Sequence, residues 1–519
     1  MTPTPLAAAV DARLRRLDAD GVIARIWDRD PTVWSPDPAA PELADRLGWL
    51  DLPATMDDAA RQAVALADDV RRTCDRVVLC GMGGSSLAPE VLWRTFGARD
   101  GYPKLVLLDS THPAAVRAAA PTEALARTVF LIASKSGTTI ETASFEEFFW
   151  ERTRHRGAAF IAVTDPGTAL ATRARTRGYR TVLSPPDVGG RFSALSPFGL
   201  VPAALMGIDP HLLLARARAA AEACRQPAGA NAAARLGVLM AEAALQGRDK
   251  LTLLLDDRLA SFGLWVEQLV AESTGKHGRG ILPVVGEWPD ELTGKERDRV
   301  FVLRGLAAGT DAPLPRAAER LATHGGPVDA ASLDEPSALA AEFFRWEFAT
   351  AVAGAVLEVN PFDQPNVAES KANTARVLQS SGAAVPADSP AAVHDWIAGV
   401  RGGDYAAVMA YLPPSPETDA RLATLRRALA RRTGVPVTIG YGPRFLHSTG
   451  QLHKGGPPRG HFLQIVDTVG DDLPIPGAAY GFGRLIAAQA DGDREALLAR
   501  GRPVLRVADF TALLAEVEG

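Results

Sequence analysis

Cysteine is nearly absent. Cys74, Cys80 and Cys224 are the only three in 519 residues, and no two form a CxxC pair. That excludes a disulfide framework and a thiolate zinc site, and leaves buried, reduced thiols as the expectation. HxH and HExxH are also missing, so no metal cluster is predicted. No sign of charge dominates: 56 Lys and Arg stand against 61 Asp and Glu, a net charge of -5. Nothing in that balance calls for nucleic acid or an anionic membrane as partner. Long apolar runs of membrane-spanning length are lacking. The opening MTPTPLAAAVDARLRRLDADG mixes acids and bases and has no hydrophobic core with a cleavage site. A cytoplasmic enzyme is the expectation, and the length allows two or three domains with real cores.

What is present is a regular alternation. The apolar runs RVVLC, KLVLL, TVFLIA and FIAV follow one another between residues 76 and 163, separated by Ala-rich helical stretches. Near-continuous apolar strands alternating with helices predict a parallel sheet covered on both faces. The chain divides into an N-terminal helical arm (1–59), a doubly wound domain (60–205), a helical connector (206–246) and a second α/β region (247–519) with a C-terminal extension. Before that extension lies the linker-like SSGAAVPADSPAAV.

Ligands in open parallel sheets sit beyond the carboxyl ends of the strands. Three such ends in the first domain are unusual. LCGMGGSSLAPE brings Gly83, Gly84, Ser85 and Ser86 to a strand-to-helix turn, where bare backbone N–H groups can approach a ligand. This loop also resembles a dinucleotide fingerprint, with Asp109 placed as a ribose acceptor would be. SKSGTTIET offers the hydroxyls of Ser134, Ser136, Thr138 and Thr139 and the cation of Lys135, at a predicted helix start. One hydroxyl suffices for a helix cap; four suit the oxygens of a phosphate monoester. The GxxxxGK[ST] spacing of a nucleotide-binding loop is missing. VGGRFS sets Arg191 on a Gly-Gly turn, from which a guanidinium can stabilise developing negative charge. Further on, WVEQLVAESTGK places Gln268 and Glu272 four apart, on one helical face. FDQPNVAESK ends at Lys371, and LHSTGQLHKGG holds His447 and His453.

In this order, GMGGSSLAPE, SKSGTTIET, VGGRFS, QLVAESTGK and FDQPNVAESK resemble the motifs of the phosphoglucose isomerase family over residues 75–380. GPRFLHSTGQLHKGGP resembles the isomerase part of fused transaldolase/phosphoglucose isomerase proteins. The resemblance implies an α/β fold of two doubly wound, flavodoxin-like SIS (sugar-isomerase) parallel-sheet domains with flanking helices. It implies an aldose–ketose isomerase of glucose 6-phosphate and fructose 6-phosphate, working without a cofactor. By it, Ser134, Lys135, Ser136, Thr138 and Thr139 hold the phosphate, and Gly84 and Ser85 contact the sugar phosphate. Glu272 is the base that moves a proton between C2 and C1, with Gln268 positioning a hydroxyl. Arg191 stabilises the cis-enediolate, and Lys371 assists ring opening with a histidine.

That histidine departs from the family's GxNGQH-type loop between the glutamate and lysine segments. Here STGQLH follows Lys371 instead, so the role passes to His453, with His447 as alternative. A homodimer is implied by resemblance alone. Three other readings stay open: an isomerase that also takes mannose 6-phosphate, a non-catalytic sugar-phosphate sensor, and a dehydrogenase.

Overall fold

Alternation within each predicted strand is what builds the layers. In the computed structural model, which describes residues 4–292, 296–307, 313–379, 386–467 and 470–519, the first sheet comprises β1 (Arg76–Gly81), β2 (Lys104–Leu108), β3 (Thr128–Ala133), β4 (Phe160–Thr164) and β5 (Arg180–Leu183). Its order is β2-β1-β3-β4-β5, parallel throughout, with Leu79 opposite both Leu107 and Leu131. Val77, Leu79, Leu131 and Ile161 face one core, while Val78, Phe130, Ile132 and Phe160 face the other. Successive side chains point to opposite faces, so a strand buried on both sides must be apolar at every position. All six residues of β3 are buried.

A second sheet, β6 (Lys250–Leu255), β7 (Leu282–Val284), β8 (Arg299–Leu306) and β9 (Val328–Leu333), has the order β7-β6-β8-β9. The stretch expected as an extension adds a sheet of its own. β10 (Tyr405–Tyr411), β11 (Val437–Tyr441), β12 (Gly460–Val466) and β13 (Val504–Val507) align as β11-β10-β12-β13, again all parallel. The fold is therefore α/β, with three doubly wound parallel sheets rather than two.

The first core runs without interruption from one face of the first sheet, through the connector helices Pro210–Ala223 and Ala232–Leu245, to one face of the second sheet. The third sheet docks through its other face: Ala407, Met409 and Tyr411 pack with Ala271, Leu282 and Val284 of the second unit. Arg444 ties it to the first unit by ion pairs with Glu90 and Asp109, and His112 Nε2 makes a hydrogen bond with Asp467 Oδ2 at 3.2 Å. Among the described residues no helix is long and apolar enough to cross a membrane.

One residue in the shared core breaks the pattern. Glu347, on the long helix Leu339–Leu357, is 0% exposed, and neither carboxylate oxygen has a hydrogen-bond partner. Burial pushes its pKa well above the usual 4.5. A raised folded-state pKa contributes stability that is full below the unfolded value and is lost as pH climbs towards the folded one. Glu347→Gln should therefore raise the unfolding free energy by about 1–3 kcal/mol at pH 7.5 and change it little at pH 4.5. Denaturant unfolding at both pH values checks this; equal effects at the two would remove the titration argument.

Candidate active site

Beyond the carboxyl ends of β1, β3, β4 and β5 lies a cavity of about 430 Å³, within the usual range for small-molecule sites. It opens at the switch point between β1 and β3, where the order of the sheet reverses. The loop after β1 approaches the arginine turn so closely that a side-chain carbon on Gly84 would lie 1.9 Å from the Gly190 carbonyl oxygen. Gly83 adopts φ +52°, a conformation glycine reaches without strain. A carbon there would lie 2.7 Å from Gln268 Nε2. Glycine is thus what allows the first loop, the arginine turn and the glutamate helix to share one wall. Ser85 lines that wall as well.

At the hydroxyl-rich end the loop residues divide. Lys135, Ser136 and Thr139 line the cavity. Ser134 is buried and structural: its hydroxyl donates to Thr139 Oγ1 at 3.1 Å and accepts the Gly137 N–H at 3.2 Å. Thr138 donates its hydroxyl to Ser136 Oγ at 3.0 Å. Thr139 precedes the helix Ile140–Arg152 and makes no side-chain cap, which leaves the first N–H groups of that helix uncapped beside the cavity, with Glu141 as the acid of its first turn. Lys135 is not a free cation. Its ammonium is paired with Asp165 and also donates to the Pro186 carbonyl at 2.9 Å. The loop sequence gives no sign of that partner, which stands thirty positions on at the end of the next strand. Arg46, from the N-terminal arm, brings a second guanidinium to this wall, and Glu42 a carboxylate.

At the opposite end stand the groups that can move protons. Glu272 and Arg191 are both buried, on the helix Ala260–Thr274 and the turn after β5 respectively, with Arg191 Nη1 3.5 Å from Glu272 Oε1. Gln268 Nε2 donates to Glu272 Oε2 at 3.1 Å, as their spacing of four predicts. Arg191 is held by Ser273 Oγ at 2.8 Å and by the carbonyls of Pro361 and Asp363 at 2.5 and 3.0 Å. Phe362 and Gln364 line the cavity beside it.

The two histidines separate. His447 lines the cavity, reaching it from the third unit of the same chain. Its Nε2 lies 3.1 Å from Glu141 Oε1; Gln489 donates to the same oxygen at 2.7 Å, and Thr111 donates to Gln489 Oε1 at 2.7 Å. With Nε2 so engaged, Nδ1 is the ring nitrogen left for a ligand. His453 does not line the cavity. It is 3% exposed, with no partner for either ring nitrogen, among the rings of Tyr405, Phe445 and Phe462. Burial pushes its pKa well below the usual 6.5. Of the two, the structure thus brings His447, the alternative, to the cavity and leaves His453 among aromatic rings away from it. Lys371 sits on the helix Pro365–Gln379; its side chain lies outside the described residues.

Three further residues belong to the arrangement. Glu141 stands inside SKSGTTIET, but there it reads as an ordinary acid in the first turn of a helix. Gln364 stands inside FDQPNVAESK, and Gln489 carries no local signal. Asp109, placed as a ribose acceptor by the dinucleotide reading, is instead paired with Arg444 Nε at 2.6 Å. Glu267, next to Gln268, faces away into a second cavity of about 270 Å³ shared with Glu90, Asp109 and Arg444, and burial raises its pKa to about 8.

Comparison with known proteins places these features in context. The family description phosphoglucose isomerase matches residues 65–280. The glucose-6-phosphate isomerase of Rubrobacter xylanophilus is 30% identical over 384 residues, 63% of this chain and 88% of that protein. The same-named protein of Carboxydothermus hydrogenoformans is 33% identical over 272 residues, 48% of this chain and 58% of that one. Among solved structures, a hypothetical protein from Thermus thermophilus superposes with a TM-score of 0.63 at 26% identity, covering 73% of this chain and 99% of its own. A glucose-6-phosphate isomerase from Chlamydia trachomatis does so at 0.61 and 18% identity, covering 71% and 85%, a likeness of fold.

Proposed function

The chain belongs to the phosphoglucose isomerase family, and from that premise we propose that it interconverts glucose 6-phosphate and fructose 6-phosphate as a cytoplasmic enzyme. The observation that carries the reading is that one cavity is lined by both kinds of group. A hydroxyl-rich helix start lies on one wall, and the buried Glu272–Arg191 pair with His447 on the others. A phosphorylated sugar anchored at Ser136, Thr139 and the helix N-terminus presents its far end to proton-moving groups.

The steps follow from that placement. The cyclic sugar opens when a proton reaches the ring oxygen and another leaves the anomeric hydroxyl; His447 and Lys371 share this task. Glu272 then takes the C2 proton of the open aldose. The C–H electrons form the C1–C2 double bond, and the aldehyde oxygen becomes an enediolate oxygen. Arg191, itself buried, stabilises that negative charge. Glu272 returns its proton to C1, while the O2 hydroxyl gives up its proton as the ketone forms and the enediolate oxygen is protonated. Gln268 holds the carboxylate of Glu272 and can orient a substrate hydroxyl. Glu141 and Gln489 fix the ring of His447. Two chains pairing as a homodimer belongs to this reading by kinship; His447 lines the cavity of its own chain.

A coupled assay tests the proposal. Purified protein supplied with fructose 6-phosphate should form glucose 6-phosphate with a turnover of about 1–1,000 per second. Binding of the sugar phosphate without conversion would reduce the protein to a sensor.

A further inference from the structure

Lys276 is among the most deeply buried charged side chains of the molecule, at 1% exposure, yet it does not line the cavity. It stands directly after the glutamate helix, four residues beyond Glu272. Its ammonium donates to the Asn360 carbonyl and pairs with Asp363 Oδ1 at 2.6 Å. Both partners belong to the turn 360–364. That turn supplies two of the carbonyls that hold Arg191 (Pro361 and Asp363) and two residues of the cavity wall (Phe362 and Gln364), and it leads into the helix Pro365–Gln379.

Burying an ammonium is costly, and an apolar side chain of similar volume would fill the same space at no such cost. A charge kept there has to be holding something polar. The groups facing it are Arg191, Asp363 and Glu272. Burial and the Arg191 charge pull its pKa down to about 7, against the opposing pull of Asp363 and Glu272. Resting on the isomerase reading, we propose that Lys276 is a positioning residue: it clamps the turn 360–364 to the end of the glutamate helix, so that Arg191 and Gln364 keep their places opposite Glu272.

The helix that follows the turn has a tie of its own to the end of the glutamate helix, through Asn366. Gln451 donates to the Gly275 carbonyl at 3.0 Å and to Asn366 Oδ1 at 2.7 Å, and accepts the Asn366 N–H at 2.9 Å. Loss of Lys276 alone therefore loosens the turn without freeing it, and the fold survives. Lys276→Met should lower kcat at least tenfold while KM for fructose 6-phosphate and affinity for inorganic phosphate change less than threefold, because the phosphate loop is on the other wall. Lys276→Arg should recover part of kcat and carry the alkaline limb of its pH profile to higher pH, since a guanidinium stays charged there.

Hydrogen exchange reads the clamp without any catalysis. Amides of 360–364 should exchange at least tenfold faster in Lys276→Met, and those of β1 and β3 no faster than in the wild type. Unchanged exchange across 360–364 overturns the clamp whatever the activity, as does a Lys276→Met enzyme of wild-type kcat. Equal loss of phosphate affinity and of protection throughout the first sheet also overturns it, in favour of a merely structural role. A wild type with a protected turn and no isomerase activity overturns the isomerase reading and leaves the clamp standing.

Discussion

Glu272→Gln should abolish at least about 99.9% of isomerase turnover while sugar-phosphate affinity falls no more than a few-fold. The change is isosteric, so the helix Ala260–Thr274 and the cavity wall keep their shape. What disappears is the capacity to hold the C2 proton: an amide cannot take a proton from carbon. The new side chain also withdraws the carboxylate that faces Arg191 Nη1 at 3.5 Å and accepts from Gln268 at 3.1 Å. The guanidinium stays in place through Ser273 and the carbonyls of Pro361 and Asp363. In the proposed reading the phosphate is anchored at Ser136, Thr139 and the helix start, on another wall of the cavity from Glu272, so the two effects should separate. Isomerisation in deuterated water gives the sharper readout. Wild type should place solvent deuterium at C2 of the aldose during turnover, and the variant should place none. Residual exchange at C2 in Glu272→Gln would move the base elsewhere in the cavity.

The part of this site readable from sequence is the part made by neighbours in the chain. SKSGTT is legible because a strand end, hydroxyls and a helix start are consecutive, and Gln268 with Glu272 because a helix puts fourth neighbours on one face. The parallel sheets are legible because strands covered on both sides have no room for polar residues. What was not legible depends on groups brought together across the fold. Lys135 reads as a phosphate cation until Asp165 arrives from the next strand end to pair with it. Glu141 reads as a helix-start acid until His447 and Gln489, more than 300 positions away, meet its Oε1. The runs YAAVMAYL, HFLQIV and PVLRV announce strands, but an apolar run does not say which sheet it joins. For that reason the third sheet reads in sequence as an extension of the second.

Removal of the two histidines should have opposite consequences. His447→Ala is expected to slow conversion of cyclic glucose 6-phosphate by about 100- to 10,000-fold, the range of a lost general acid–base group. It should leave an aldose phosphate that cannot close a ring, such as a 4-phosphorylated tetrose, within about tenfold of wild-type turnover. Glu141→Gln should shift the same ratio in the same direction but less far, because it frees the ring of His447 without removing it. His453→Phe should keep full activity on both substrates, since the ring it replaces packs among Tyr405, Phe445 and Phe462 and does not line the cavity. Its effect falls on stability. A buried histidine whose folded pKa lies below 6.5 is held neutral in the fold and takes up protons more readily when unfolded. The unfolded chain then binds more protons below pH 6.5, and stability declines as pH falls through that region. Phenylalanine does not titrate, so the acid limb of the unfolding curve should flatten in His453→Phe by about 1–2 kcal/mol at pH 5. Loss of cyclic-sugar turnover in His453→Phe with full activity in His447→Ala would return ring opening to His453, and would require the segment 444–454 to rearrange when sugar binds.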